Sequence, residues 1–310
     1  MSKFLTISVL TATAASGIRL AAPFLLASLG ETMGQRSGVL NLGVEGVMLL
    51  GAFGSYYTVL QTGDLWLAAI VGVAIGAIMG LITAVVSVTL KAEQGISGIG
   101  VFLFGLGMSD LLYQKLVGTP RPVAQLPAVN IPFLADIPGF GKMLFRQSLL
   151  VYLAILLVPA LAFVLNRTTY GTKIKAVGEN PAAADSLGVS VNRIRYSTVV
   201  LGNALAGLAG ATLAMELGIF QQNLTQGAGF IAVALVYFGA WRPWGVLAGS
   251  LLYGLVAAIV LQWKTLGIIP LSASDLAATA PALITIVALV VVARRFRQPA
   301  ALAKAYERGA

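Results

Sequence analysis

The sequence predicts an all-α polytopic membrane protein of about nine spanning helices, in a range of about 8 to 10. Three observations predict it. Of 310 residues, 58% are hydrophobic and only 10% are charged, against about 25% charged in soluble domains. Apolar runs recur from one end to the other at the roughly 20-residue length that crosses hydrocarbon. The longest polar interludes, about 118–146 and 167–195, are too short for a core of their own. Residues 1–310 therefore read as one transmembrane domain, with an outer loop at 118–146 and a cytoplasmic loop at 167–195.

The expected spans are 8–30, 40–60, 64–90, 95–117, 147–166, 196–217, 227–241, 244–263 and 276–294. The 227–241 segment is short and reads as a partial or re-entrant helix. The 40–60 span opens on glycine and polar residues, so a break is expected there. All but seven of the 20 basic residues fall on the side that holds 167–195. The exceptions are Lys3, Arg19, Lys115, Arg121, Lys142, Arg146 and Lys264. By the positive-inside rule the N-terminus lies outside and the C-terminus in the cytoplasm. Arg294-Arg295-Phe296-Arg297 reads as a stop at the inner surface. Arg19 interrupts the first apolar run, so it is expected at the outer surface, with residues 1–18 as an interfacial helix. That run lacks a small-residue cleavage site and reads as retained structure.

The net charge of +9 reads as membrane-flanking Lys and Arg, not as a nucleic-acid surface. The absence of Cys and His removes disulfides, thiol catalysis, haem ligation and most zinc sites. Gly139-Phe-Gly-Lys142 is too short for a phosphate loop and lacks its Ser/Thr. Gly95-Ile-Ser-Gly-Ile-Gly100 has the wrong glycine order for a dinucleotide site. No catalytic constellation is present, so the chain is expected to be no enzyme and to carry no cofactor. Gly72, Gly76 and Gly80 are spaced by four, as are Gly202, Ala206 and Gly210, and Gly245 with Gly249. Such small-residue stripes let helices touch.

Two stretches carry chemistry beyond anchoring. Arg36-Ser-Gly-Val-Leu-Asn-Leu-Gly-Val-Glu-Gly46 places a carboxamide and a carboxylate in an apolar run, where polar groups face protein or a water-filled path. If helical, Asn41 and Glu45 share a face at i and i+4 and could hydrogen-bond sugar hydroxyls or base edges. Alternatively, Glu45 pairs with a basic residue or caps a broken helix. Asn203, inside the sixth span, is a weaker pathway candidate. Glu216, Gln221 and Gln222 are expected at the outer end, and Phe102, Phe104 and Tyr237 are available for stacking or for plain packing. In the second stretch, Asn180-Pro181 reads as an N-cap with proline in the first turn. A short helix 181–187 follows, and Gly188 stops it. This reads either as a docking helix with one carboxylate, Asp185, or as a connecting turn.

Gly178-Glu-Asn-Pro-Ala-Ala-Ala-Asp-Ser-Leu-Gly188, Gly227-Ala-Gly-Phe-Ile-Ala-Val-Ala234 and Gly239-Ala-Trp-Arg-Pro-Trp-Gly245 carry a resemblance. The chain resembles the permease subunits of ATP-binding-cassette (ABC) importers, in the branch holding ribose-type, branched-chain amino-acid and nucleoside permeases. The resemblance implies that Glu179, Asn180, Pro181, Ala184, Asp185 and Gly188 belong to a coupling helix seated in a cleft of a separate ATPase, which binds the ATP and Mg. It also implies a second, unlike permease, an extracytoplasmic substrate-binding lipoprotein and the bacterial inner membrane. Ribose-type permeases carry Asp where this chain has Asn41. That variant is similar to nucleoside permeases, and the chain looks like the shorter of their two permeases. Import of a simple sugar or branched-chain amino acid stands as the alternative. An ATPase-independent carrier is the third reading, with Glu45 as the one carboxylate deep enough to relay protons.

Overall fold

Backbone amides in hydrocarbon find no water, so long apolar runs must close their hydrogen bonds within helices. The computed structural model, which describes residues 7–135, 137, 140–270, 273–293 and 297–307, shows them helical. The first elements are α1 (Ile7–Arg36), α2 (Val44–Thr62), α3 (Leu65–Ala84) with a π-helical turn at Val85–Thr89, and α4 (Gln94–Leu116). After α5 (Gly141–Leu144) come α6 (Leu149–Arg167), α7 (Thr169–Glu179), α8 (Pro181–Ser186) and α9 (Val191–Leu217). The last are α10 (Ala228–Phe238), α11 (Pro243–Thr265), α12 (Ser274–Ala278) and α13 (Ala280–Ala293).

Among the described residues, six helices are long and apolar enough to cross a membrane: α1, α3 with its π turn, α4, α6, α9 and α11. At 11 residues, α10 is about 16 Å long, in line with a partial helix. The expected last span is divided near Thr279 into α12 and α13. Arg294 and Arg295 of the basic tail lie outside the described residues. One feature departs from the all-α expectation. A short antiparallel ladder pairs β1 (Ala128–Asn130) with β2 (Arg146–Ser148) in the 118–146 region.

Helix α9 is the hub, and glycine lets its neighbours reach its backbone. A Cβ on Gly202 would sit 2.6 Å from the Gly30 carbonyl of α1, one on Gly207 2.2 Å from that of Gly72 in α3, and one on Gly210 1.9 Å from that of Met48 in α2. The expected stripe of Gly72, Gly76 and Gly80 does meet this helix. The stripe predicted on α9 itself does not serve one partner, because Gly202 meets α1 and Gly210 meets α2. The opposing atoms are backbone and cannot rotate away. Gly210→Ala is therefore expected to cost about 1–3 kcal/mol, read as a lower melting temperature in detergent.

α1 runs unbroken through Arg19, so residues 7–18 continue it and are not a separate helix, and Arg19 Nε lies 3.6 Å from the Glu216 carboxylate of α9. Ser148 Oγ also donates to Glu216. The pair joins residues far apart in sequence and leaves the Arg19 side chain partly exposed. Glu216 itself is mostly covered and does not stand free at the outer end, whereas Gln221 and Gln222 are exposed. Residues 118–126 fold over this end of α9, with Val123 N donating to Gly218 O and Tyr56 Oη to Arg121 O.

Candidate functional site

Two helices begin inside the protein, and Glu45 joins them. α1 ends at Arg36, the chain turns through Gly38 at φ +91°, and α2 starts at Val44. After α9 the chain returns as 218–227 and starts α10 at Ala228, beside α2. The Glu45 carboxylate, 1% exposed, accepts from Thr225 Oγ1 at 2.5 Å and from the backbone amides of Gly227 at 2.7 Å and Gly229 at 2.6 Å. The first amides of a helix have no partner within it and carry its positive end. A carboxylate is the strongest available acceptor for them. A Cβ on Gly229 would lie 2.4 Å from Glu45 N, so only glycine permits this approach. The Glu45 carboxylate of α2 thus caps the start of α10.

Asn41 corrects the sequence reading. It lies in the 37–43 turn, outside α2, so it and Glu45 are not successive turns of one helix face. Its Oδ1 accepts from Gly43 N at 2.9 Å, and its Nδ2 donates to Asn203 Oδ1 at 2.9 Å. Asn203 Nδ2 donates in turn to Val199 O at 2.8 Å. Asn41 and Asn203, both 3% exposed, are thus brought together. Glu45 stands next to them in the chain but bonds to α10.

The site also holds residues that the sequence reading passed over. Glu31 of α1 is 4% exposed, and its Oε1 accepts from Asn41 N at 3.1 Å and from Gln35 Nε2 at 3.0 Å. Gln35 Oε1 accepts from Trp241 Nε1 at 2.7 Å, and Arg36 Nε donates to Trp241 O at 2.9 Å. Gln94 Oε1 accepts from Leu40 N at 2.8 Å. Glu45 is therefore not the one deep carboxylate. The signal was present as Glu31 and Gln35 at i and i+4 within an apolar run. Two of the aromatics named as stacking candidates pack on other rings: Phe102 meets Phe230 edge-on at 5.2 Å, and Tyr237 meets Trp241 at 4.8 Å. Phe104 is half-exposed.

The predicted short helix is present as α8. Asn180 Oδ1 accepts from Ala183 N at 3.0 Å, Pro181 stands in the first turn, and Gly188 closes at φ +82°. Ala184 is buried against the body, Asp185 is half-buried, and Leu187 is 84% exposed beside Gly188. Glu179 lies on the surface at the end of α7, its Oε2 3.4 Å from Ala300 N.

A folded-back segment, 297–307, links this helix pair to the turn. Ala301 N donates to Gly178 O of α7 at 2.9 Å, and Ala303 N donates to Gly38 O at 3.1 Å. Arg195, 1% exposed, donates from Nε to Ser37 O at 3.2 Å and from Nη1 to Lys304 O at 3.0 Å. A Cβ on Gly178 would fall 2.0 Å from Arg36 O. The end of α7, the end of α1, the 37–43 turn and the C-terminal segment thus form one continuous contact.

Comparison with known proteins agrees with this architecture. The profile of the branched-chain amino acid transport system permease component family matches residues 13–293. A putative glucose ABC transporter permease of Haloferax volcanii is 39% identical over 256 residues, covering 81% of this chain and 77% of its own length. A guanosine ABC transporter permease of Bacillus subtilis is 34% identical over 304 residues, covering 93% and 94%. A nucleoside ABC transporter permease of Lactococcus lactis subsp. cremoris is 34% identical over 281 residues, covering 87% and 88%. No solved structure matches.

Proposed function

This chain belongs to the family of branched-chain amino acid transport system permease components, and from that membership we propose that it forms the translocation path for nucleosides in an ATP-driven importer. It is a multi-pass ABC transporter permease of the cell membrane and not itself an ATPase. The observation that carries the reading is the continuous contact from α8 to the 37–43 turn. A push on α8 has a packed route to the residues that hold the two interrupted helices.

In this account the Arg36 end faces the cytoplasm and the N-terminus lies outside, by the distribution of basic residues. About nine helices cross or enter the bilayer, with α10 entering only in part. An ATPase that binds ATP and Mg seats Leu187, Asp185 and the capped turn of α8 in a cleft. A second, unlike permease completes the path, and a surface lipoprotein delivers the solute at the opposite end. Asn41, Glu45 and Asn203 hold the interruption closed. When α2 and α10 part, their freed polar groups face a hydroxyl-rich solute. Non-helical backbone at such depth is tolerated where protein buries it or a cavity opens beside it.

Nucleosides are preferred because the guanosine permease aligns with this chain over nearly its whole length. A sugar is the second reading, favoured by the putative glucose permease at 39% identity. Uptake of labelled guanosine and uridine into cells expressing the full transporter decides between them. Competition by excess nucleoside but not by glucose, ribose or leucine is the expected result. Competition by glucose moves the assignment to a sugar.

Gly188→Val tests the role of α8. Valine is strained at φ +82°, and the position is open to solvent, so the cost falls on the local turn. Normal membrane insertion is expected, with at least a tenfold loss of ATPase co-purification, roughly 1.4 kcal/mol of docking free energy. Full co-purification with lost transport would remove α8 from the docking role.

A further inference from the structure

Helix α4 packs one side on α2 and leaves the opposite side without a described partner. Gly98 and Gly105 belong to the packed side. A Cβ on Gly98 would sit 2.9 Å from Leu42 N, and one on Gly105 2.4 Å from the Gly46 carbonyl. The open side runs through Ile96, Gly100, Leu103, Gly107, Asp110 and Gln114. Steps of four and three keep these residues on one stripe of the helix. All of them are exposed except Asp110, which is partly so.

Two properties of this stripe do not suit lipid. Among the described residues, Gly100 and Gly107 are the only glycines inside a helix whose added Cβ would meet nothing within 4 Å. Glycine weakens a helix relative to alanine. At Gly202 and Gly210 a close backbone approach requires it, and within this chain nothing does so at Gly100 or Gly107. The second property is Asp110, about 9 Å of helix short of Leu116 and so within the span. No described hydrogen bond or ion pair reaches it, and its Oδ1 is buried without a partner. A carboxylate at such depth is costly against hydrocarbon and faces protein or a watery path. α3 gives the contrast. Its exposed side carries Ile70, Ile78 and Leu81, and the helix has no ionisable residue, as a lipid-facing surface requires.

We propose that this stripe of α4 is the contact with the second, unlike permease, and that a helix of that partner carries a basic residue or a hydrogen-bond donor at the depth of Asp110. Gly100 and Gly107 admit the partner's backbone, and Asp110 decides which partner is accepted. A second copy of this chain does not fit. Two copies inserted the same way, and paired through this stripe about a twofold axis, bring like residues together at equal depth. Two Asp110 carboxylates would then repel each other in a medium of low dielectric constant. An unlike helix with a donor at that depth supplies what the carboxylate lacks. This inference rests on the permease reading above and not on the nucleoside assignment.

The chain has no cysteine, so single cysteines report without background. Leu103→Cys and Gly107→Cys probe the stripe, and Ile78→Cys probes the exposed side of α3. Each is labelled with a benzophenone maleimide in membranes that hold the full transporter, irradiated and read by mass. An adduct with the companion permease is expected from both stripe positions, and lipid adducts alone from Ile78→Cys. Lipid adducts alone at all three positions overturn the proposal, as does an adduct of twice this chain's mass. Asp110→Leu is expected to insert normally and to lower retention of the companion permease in detergent at least tenfold. Asp110→Asn, which keeps an acceptor oxygen, should lose less. Wild-type retention by Asp110→Leu overturns the role of the carboxylate. The cross-linking arms stand even where an Asp110 variant inserts poorly. ATP-dependent uptake by the unmodified transporter tests the permease reading separately, so the two fail in distinguishable ways.

Discussion

Glu45→Ala is expected to be the most damaging single substitution in this chain, at about 3–5 kcal/mol. The carboxylate holds the Thr225 hydroxyl and the amides of Gly227 and Gly229, all at the start of α10. Alanine leaves them without an acceptor in a site that water does not reach. Glu45→Gln keeps one acceptor oxygen but turns an NH2 toward a donor, so an intermediate loss is expected. Size-exclusion of heated detergent samples reads the order: wild type most stable, Gln next, Ala least. Equal melting of all three would remove Glu45 from its capping role, since a residue merely facing a solute path contributes little to stability.

Gly178→Ala is expected to have the second largest effect, and it divides function from folding differently. The added methyl would fall 2.0 Å from Arg36 O, while Gly178 O already accepts from Ala301 N. Neither neighbour is a side chain that can swing aside. The end of α7 must move off α1, at about 1–3 kcal/mol, and the contact between α8 and the 37–43 turn is interrupted. Transport is expected to fall at least tenfold while ATPase co-purification persists, because the exposed face of α8 is untouched. Transport at the wild-type rate would mean that motion does not travel by this route.

These two residues show what the sequence made legible and what it did not. α8 could be read in advance because its signals are local: Asn180 caps, Pro181 starts and Gly188 stops, all within nine positions. The interruption before α2 was legible as a possibility, from glycines and polar residues in an apolar run. Its geometry was not, because Val39, Leu40, Leu42 and Val44 are apolar whether or not the helix has begun, and periodicity alone extends α2 back through Asn41. The pairing of Arg19 was not legible because its partner, Glu216, lies on α9. Pairings at such separation leave no local trace. The break between α10 and α11 was expected after 241, but its conformation was hidden, since Ala240 and Trp241 take positive φ where glycine would have announced it. Residues 297–307 follow the expected stop at Arg294–Arg297, yet they close over Gly38 and Gly178 through backbone hydrogen bonds that any sequence could offer.

Buried Glu31 raises the stakes of the energy question. With Gln35 of α1 and Asn41 of the 37–43 turn it forms a carboxylate-centred cluster, and a proton-coupled carrier would need such a group. The permease account gives it a structural role, as acceptor for the turn that starts α2. The deciding measurement is nucleoside uptake into cells that carry this chain with its partner ATPase, either intact or with the phosphate-binding lysine of that ATPase replaced. Uptake that falls to background with the inactive ATPase is the predicted result. Uptake that persists at the intact rate would contradict an ATP-driven permease and make this chain a carrier working on its own.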